Sequence, residues 1–388
     1  MVSDRDRRGI VEKVDLAHVT IFFLSSSIIL YVIFGYPLLV AIWSRVMART
    51  VQKAFIPRTV SILLPVHNGD RWLAEKLSSI RELDYPQELL TTIVISSAST
   101  DATLSIAKKH AGPHIEAIEV QQPGKARALN AGLAAAKGEI LFLTDVRQSL
   151  EPECLKALIE HFGDPRVGAV SGELVIREGN SLEQASVGLY WKYEKFIRKA
   201  QSQIDSVPGA TGAIYAIRRE LAQPMPEETL LDDVYLPMCA FRKGYRLTWE
   251  PAAKAHDYPS SLKSEFVRKV RTLAGVYQIT WELPWLLIPN HRLWLHYVSH
   301  KIGRLMIPYL FIMVLVSSFW LPSPWMGLML GAQALGYGLA IVDSMIGEHS
   351  PLKRLSAPAS TFVMLMTAAV CAVSIFFVSP DRLWKPTR

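Results

Sequence analysis

Only three cysteines occur in the 388 residues, Cys154, Cys239 and Cys371, far apart and with no CxxC spacing. This argues against a disulfide framework and a cysteine-based zinc site, and fits a reducing compartment. Charge is also scarce, at one residue in five, against half that are hydrophobic. The net charge of +7 is not concentrated in one basic stretch. Lys and Arg instead gather beside apolar runs, which implies membrane lipids as partners and no nucleic acid. In places charge is missing altogether: from Val19 to Trp43, from Leu305 to Val342 and from Leu355 to Pro380. At 1.5 Å per residue, such runs are long enough to cross a hydrocarbon layer of ~30 Å.

The first run is followed by Ser44, Arg45 and further bases, where a signal peptide would have a small-residue cleavage site. It reads as a retained anchor over 16–44 after a 1–15 tail. Arg45, Arg49, Lys53 and Arg58 follow with no acid before Asp70, whereas the tail balances its bases with Asp4, Asp6, Glu12 and Asp15. Positive-inside counting therefore puts the middle of the chain in the cytoplasm. The second run is nearly twice the ~20 residues that one span needs. Pro322, Ser323 and Pro324 divide it into a hairpin, 305–322 and 324–346. Gly327 and Gly331 give the second arm a small-xxx-small face suited to close helix packing. A last span covers 356–379. The 380–388 tail carries Arg382, Lys385 and Arg388, which oppose the outer side that helix parity assigns to it. Before the hairpin, 261–304 mixes Trp281, Trp285, Trp294 and Tyr297 with Arg292, His296, His300, Lys301 and Arg304. That mixture suits amphipathic helices at the headgroup layer, or packed on the middle domain.

The middle of the chain, 55–260, has a different pattern. Short apolar runs such as TVSILLP from Thr59, TTIVIS from Thr91 and EILFLT from Glu139 alternate with segments of helical periodicity. This predicts a mainly parallel sheet covered on both faces, with ligands bound at the carboxyl ends of its strands. Candidate residues fall at those ends. Asp101, in a Ser, Thr, Asp cluster where a helix begins, is explained by capping alone. Lys125, after Pro123 and Gly124, is placed to meet a diphosphate at a helix start, or is simply solvated. Asp145 ends a buried strand, where a carboxylate holds a divalent ion or forms a turn. Asp232 and Asp233 open a helix, either as favourable charge at its N-terminus or as a general base.

The order of the motifs is specific where the single residues are not. VSILLPVHNGD from Val60, ISSASTDAT from Ile95, PGKARALNAGLAAAKGEILFLTDVRQ from Pro123, GATGAIYAIRRE from Gly209 and LDDVYLPMCAFRKGYRLTWEP from Leu231 carry a resemblance. The chain resembles family 2 inverting glycosyltransferases of GT-A fold, in the membrane-anchored branch with the synthases of cellulose, hyaluronan and poly-N-acetylglucosamine. The resemblance implies an α/β GT-A catalytic domain, Rossmann-like and mainly parallel, with transmembrane helices on both sides. It further implies an integral protein of a bacterial-type plasma membrane. Its expected partners are a nucleotide-sugar donor, a glycan or lipid-linked acceptor, and polysaccharide export proteins. By the same resemblance, Pro65, His67 and Asn68 line the nucleotide pocket with Asp101, Lys125 approaches the diphosphate, and Asp145 holds Mg²⁺ or Mn²⁺. Asp233, with Asp232 beside it, is the base that deprotonates the acceptor. Gly209, Ala210, Thr211 and Gly212 shape the acceptor side.

The chain also departs from the family pattern. Ser97 stands where an Asp usually bonds the nucleobase, so UDP is only the default nucleotide. Arg147 replaces the second Asp of the DxD motif; a guanidinium pairs with phosphate but ligates no cation. Of the QxxRW motif of processive synthases, only the Arg survives, as Arg271 in RKVRT, which puts long polymerisation in doubt. Ser97 and Arg147 keep open a rival reading, a non-catalytic subunit of a glycan synthesis or export complex. A transporter has only Asp343 as an acid near a span end, too little for an ion path.

Overall fold

The computed structural model describes residues 4–176, 182–258, 262–347 and 350–380. The 380–388 tail, with Arg382, Lys385 and Arg388, therefore lies outside the described residues beyond Pro380. Eight strands form one sheet: β1 (Val60–Val66), β2 (Leu90–Ser97), β3 (Ile115–Val120), β4 (Ile140–Thr144), β5 (Ser149–Leu150), β6 (Val167–Ile176), β7 (Ile214–Arg218) and β8 (Arg246–Asp257). Their order is β3-β2-β1-β4-β7-β6-β8-β5. The four strands from β3 to β4 are parallel, as the alternation of strands and helices predicts. Beyond β4 the sheet is mixed, because β7 runs antiparallel to both β4 and β6.

Alternating side chains of the central strands feed two cores. Leu63, Ile93 and Ile95 pack with Ala128 and Leu129 on one face. Ile62 and Leu64 pack with Leu73, Leu77 and Ile80 on the other. With both faces covered, β1 and β4 are almost wholly apolar. The parallel strands β1, β2 and β4 end on the same edge, so the loops after Val66, Ser97 and Thr144 converge.

Among the described residues, four helical segments are long and apolar enough to cross a membrane: Leu16–Val46, Trp294–Trp320, Trp325–Met345 and Lys353–Phe376. The first segment begins at Leu16, as expected, within a longer helix, and the second begins earlier than expected. The longer helix begins at Asp4, so most of the 1–15 tail is helical. The helix expected from 305 begins at Trp294 and runs on through a π-turn at Tyr297–Ile302, so 294–304 is its first part. Only Leu262–Glu282 of the 261–304 segment is a separate long helix. Gly327 and Gly331 face open space, and helix Trp325–Val342 buries no side chain, so the expected small-residue packing face is not used within the chain. Asp343 has a structural explanation: it accepts from Ser356 Oγ at 2.6 Å and pairs with Lys353 Nζ at 3.2 Å across the turn.

The apolar helices are docked on the sheet domain through helix Leu182–Ile204. Tyr36 and Val40 pack against Ile197, Ala200 and Ile204. The buried Tyr36 hydroxyl accepts from Gln201 Nε2 at 2.7 Å and lies 2.9 Å from His296 Nδ1. Arg49, Lys53 and Arg58, read as orienting charges, also form ion pairs with Asp205, Glu250 and Glu139 of the domain.

Candidate active site

The loops at the strand ends hold one another. The Gly124 N–H donates to Ser97 Oγ at 3.1 Å, and Ser97 Oγ lies 3.3 Å from the Gly124 carbonyl. Ser97 thus fastens the PGK loop at the position where the family has its base-binding Asp. Gly124 has φ +142°, a conformation open to glycine, and turns the chain into helix Lys125–Ala135. His67 Nδ1 donates to the Ser97 carbonyl at 2.7 Å, and Asn68 Oδ1 accepts from the Thr100 N–H at 2.8 Å. Pro65 lies one strand away, paired with Ile95. Asp101 has the contacts of a capping residue, accepting from the N–H groups of Asp70 at 3.1 Å and Thr103 at 2.9 Å. Burial opposes its charge, but these bonds outweigh that and hold its carboxyl below the ordinary range.

Lys125 is the hub. Its Nζ lies 2.8 Å from Asp145 Oδ1 and 3.1 Å from Asp232 Oδ1, so the end of β4 and the start of helix Asp232–Arg242 meet on one ammonium. Burial alone would weaken that charge, but the two carboxylates outweigh it and keep the lysine protonated well above its usual pKa. Asp232 is buried and also accepts from the Tyr215 hydroxyl at 3.1 Å, so both its oxygens are engaged.

Asp233 differs. It is half-buried, and among the described residues no hydrogen bond or ion pair reaches its carboxylate. Burial and the neighbouring Asp232 charge raise its pKa to about 6, only partly offset by Lys125 and Lys301. The 209–212 segment, expected on the acceptor side, faces it. A Cβ on Gly212 would stand 3.2 Å from Asp233 Oδ2, and the Ala210 N–H donates to the Asp233 carbonyl at 2.7 Å. Gly209, with φ +127°, would place a Cβ 2.8 Å from Val234. The Thr211 N–H is held by Ser171 Oγ at 2.9 Å.

Two cations remain. Arg271 is half-buried in electrostatic reach of Asp145, Asp233 and Asp232, with no hydrogen bond or ion pair among the described residues. Arg147, expected to be available to phosphate, is instead paired with buried Asp257 at 2.5 Å, where Gln148 Nε2 also donates at 3.0 Å. Its guanidinium anchors the motif loop to β8.

A family model of glycosyl transferase family 2 matches residues 61–224, and one of glycosyl transferase family group 2 matches residues 143–341, about half of the chain. The chain belongs to glycosyl transferase family 2. A probable glycosyltransferase, YdaM of Bacillus subtilis (strain 168), is 26% identical over 217 residues, covering 50% of this chain and 49% of YdaM. The poly-beta-1,6-N-acetyl-D-glucosamine synthase of Staphylococcus epidermidis is 24% identical over 247 residues, covering 61% of this chain and 59% of the synthase. This family 2 chain thus spans about half the length of the curated relatives it matches. Among solved structures, the mannosyltransferase PcManGT from Pyrobaculum calidifontis, in complex with GDP-Man and Mn²⁺, has a TM-score of 0.71 at 21% identity, over 94% of this chain and 99% of that one. The likeness establishes the GT-A architecture of this family member.

Motif reading missed two supports of the site. Gly275 of helix Leu262–Glu282 lets Leu231 pack against the helix backbone, and Gln278 Oε1 accepts from the Leu230 N–H at 2.9 Å, so this helix seats the LDD motif. The other is Lys76. It is fully buried and donates to Thr144 Oγ1 and to the Gln148 carbonyl, both at 2.7 Å, on either side of Asp145 and Arg147. Thr144 Oγ1 in turn donates to the Ala213 carbonyl at 2.8 Å. A lysine among Leu73, Leu77 and Ile80 on an apolar helical face was the available signal. Burial lowers its pKa to about 7, with Cys154 and Asp145 opposing that shift. Lys76→Met removes both bonds, at a cost of about 1–3 kcal/mol for polar groups left unpaired. A lower melting temperature and weaker UDP binding are expected by thermal scanning and calorimetry; unchanged values in both would contradict the clamp.

Proposed function

We propose that this chain is a membrane-bound inverting glycosyltransferase that moves a sugar from a nucleoside diphosphate donor to a lipid-linked or exported polysaccharide acceptor. The observation that carries this reading is the unequal state of two adjacent acids. Asp232 is consumed by Lys125 and Tyr215, whereas Asp233 is unengaged, raised to about 6 and faced by the glycine segment. A base with that pKa is largely ionised at neutral pH and still accepts a proton readily. The acceptor hydroxyl attacks the anomeric carbon on the side opposite the diphosphate. The new C–O bond forms as the bond to the diphosphate oxygen breaks, the nucleoside diphosphate leaves with the electron pair, and the hydroxyl proton passes to Asp233. Inversion follows from that geometry. Lys125 and Arg271 are disposed to meet the negative charge on the departing diphosphate.

The donor set suits Mg²⁺ or Mn²⁺ only in part-protein coordination. Asp145 is one partly exposed carboxylate, and Arg147 is drawn away by Asp257. Among the described residues no group of three or more His, Cys, Asp or Glu side chains is arranged to hold an ion. Such ions commonly take one or two carboxylates and complete their shell with phosphate oxygens and water, so Asp145 with a bound diphosphate fits. When bound, the ion supplies positive charge to the leaving diphosphate. A UDP-sugar is the working donor. With Thr272 in place of the motif Trp, extension by one or a few sugars suits this chain better than long polymerisation. The Arg147–Asp257 pair favours the second reading, a non-catalytic subunit.

Two substitutions in one experiment separate these readings. Asp233→Asn is expected to lower transfer by about 10²–10⁴-fold with UDP affinity retained, whereas Asp145→Ala is expected to weaken UDP binding in the presence of Mn²⁺. Kinetics and calorimetric titration read the two effects. Equal, measurable turnover in Asp233→Asn and the parent chain would remove Asp233 as the base, and no turnover in the parent chain would leave only the non-catalytic reading.

The catalytic domain is assigned to the cytoplasmic side of the membrane on the bases after the first span, from Arg45 to Arg58. A single cysteine at exposed Gly112, in a chain with its own three cysteines replaced, should react with an impermeant maleimide only after cells are permeabilised. Labelling in intact cells would reverse the assignment.

A further inference from the structure

Asp233 has cations on its membrane side that the donor chemistry leaves unused. Lys301 and Arg304 lie on the helical segment Trp294–Trp320, and Arg304 is the last charged residue before the uncharged run at Leu305. Both therefore sit at the depth of lipid headgroups. Yet they are held toward the catalytic domain. Arg304 forms an ion pair with Glu194 of helix Leu182–Ile204 and donates from Nε to the His300 carbonyl at 2.8 Å. Lys301 is in electrostatic reach of Asp233, Arg198 and Glu194, and among the described residues its ammonium makes no hydrogen bond or ion pair.

One turn beyond Glu194, Arg198 reaches under the acceptor segment. It donates to the Gly209 carbonyl at 3.1 Å and to Ser171 Oγ at 2.9 Å, but its buried Nε has no acceptor among the described residues. Of the carboxylates near Arg198 and Lys301, Glu194 and Glu173 are already committed, and Asp233 is kept for the proton. Glu194 is shared by Arg304 and by His300 at 3.5 Å, and Glu173 is paired with Lys195. A partly buried ammonium and a buried, orphaned guanidinium N–H near the base leave a deficit that a neutral hydroxyl does not fill. An anionic oxygen does.

We propose that Lys301 and Arg198 form a binding site for the phosphate group of the acceptor, presented to Asp233 from the membrane side. The site rests on the reading of Asp233 as the acceptor-side base. Its ligand chemistry is a phosphate ester, and the headgroup depth of Lys301 favours a lipid phosphate over a free one.

The test uses the full chain in detergent micelles with three probes: farnesyl phosphate, farnesol and inorganic phosphate. Farnesyl phosphate should bind, farnesol should not, and Lys301→Met should lower the farnesyl phosphate affinity by about tenfold or more, as expected for loss of a charge-assisted contact. Lys301→Arg, which keeps the charge, should retain most of the affinity. Lys301→Gln repeats the comparison should Lys301→Met fail to melt cooperatively. Equal binding of farnesol, or no loss in the neutral variants, overturns the site. Inorganic phosphate binding as tightly as farnesyl phosphate overturns the lipid source and supports the phosphate site. A UDP titration of the unmodified chain is read separately: farnesyl phosphate binding without UDP binding would preserve this site and defeat the transferase reading.

Discussion

The contact of the Lys125 ammonium with Asp145 and Asp232 decides what the rest of the site is able to do. One strand end and a helix start would otherwise bring three carboxylates together with little to balance them. One cation between two of them joins β4 to helix Asp232–Arg242 and leaves the third, Asp233, with a neighbour's negative charge and no partner of its own. Truncating Lys125 would leave the buried Asp232 carboxylate uncompensated, whereas the partly exposed Asp145 would lose less. The same contact therefore supports the local fold and separates a structural acid from a chemically available one. The placement of Lys125 depends in turn on Gly124 and on Ser97, which holds the loop before it.

A second dependence runs toward the membrane. Helix Leu182–Ile204 carries Ile197, Ala200, Gln201 and Ile204 against the first apolar helix, and Arg198 against the acceptor segment. The 209–212 segment beside Asp233 is thus supported by the element that docks the apolar helices.

Much of this was legible in the sequence because it rests on local signals. Apolar runs bounded by turn residues located β1, β2 and β4, and their alternation with helical periodicity gave the parallel half of the sheet. The antiparallel course of β7 was not legible, since nothing in IYAIR states its neighbours. Charge runs located the apolar helices but placed one start too late, because a helix continues through a charged segment without any local break at Leu305. At the site, motif order pointed to Lys125, Asp145 and Asp233, and the structure brings them together. The partners of Arg147 and Ser97 were beyond reach. Asp257 lies 110 residues from Arg147 in the chain, and a departure from a family motif reveals only the missing contact, not the one that replaces it. Lys76 shows the converse, a residue outside every motif whose only mark was its place on an apolar face.

The claim that Asp233 is the unengaged base, set apart by the Lys125 contact, is tested most directly by the pH dependence of kcat/KM in the unmodified chain. The base works ionised, so activity should fall as pH drops through the pKa of Asp233. The account predicts an acid limb with an apparent pKa near 6, reflecting burial and the adjacent Asp232 charge. A profile that stays flat down to the ordinary carboxylate range, about pH 4, would contradict it.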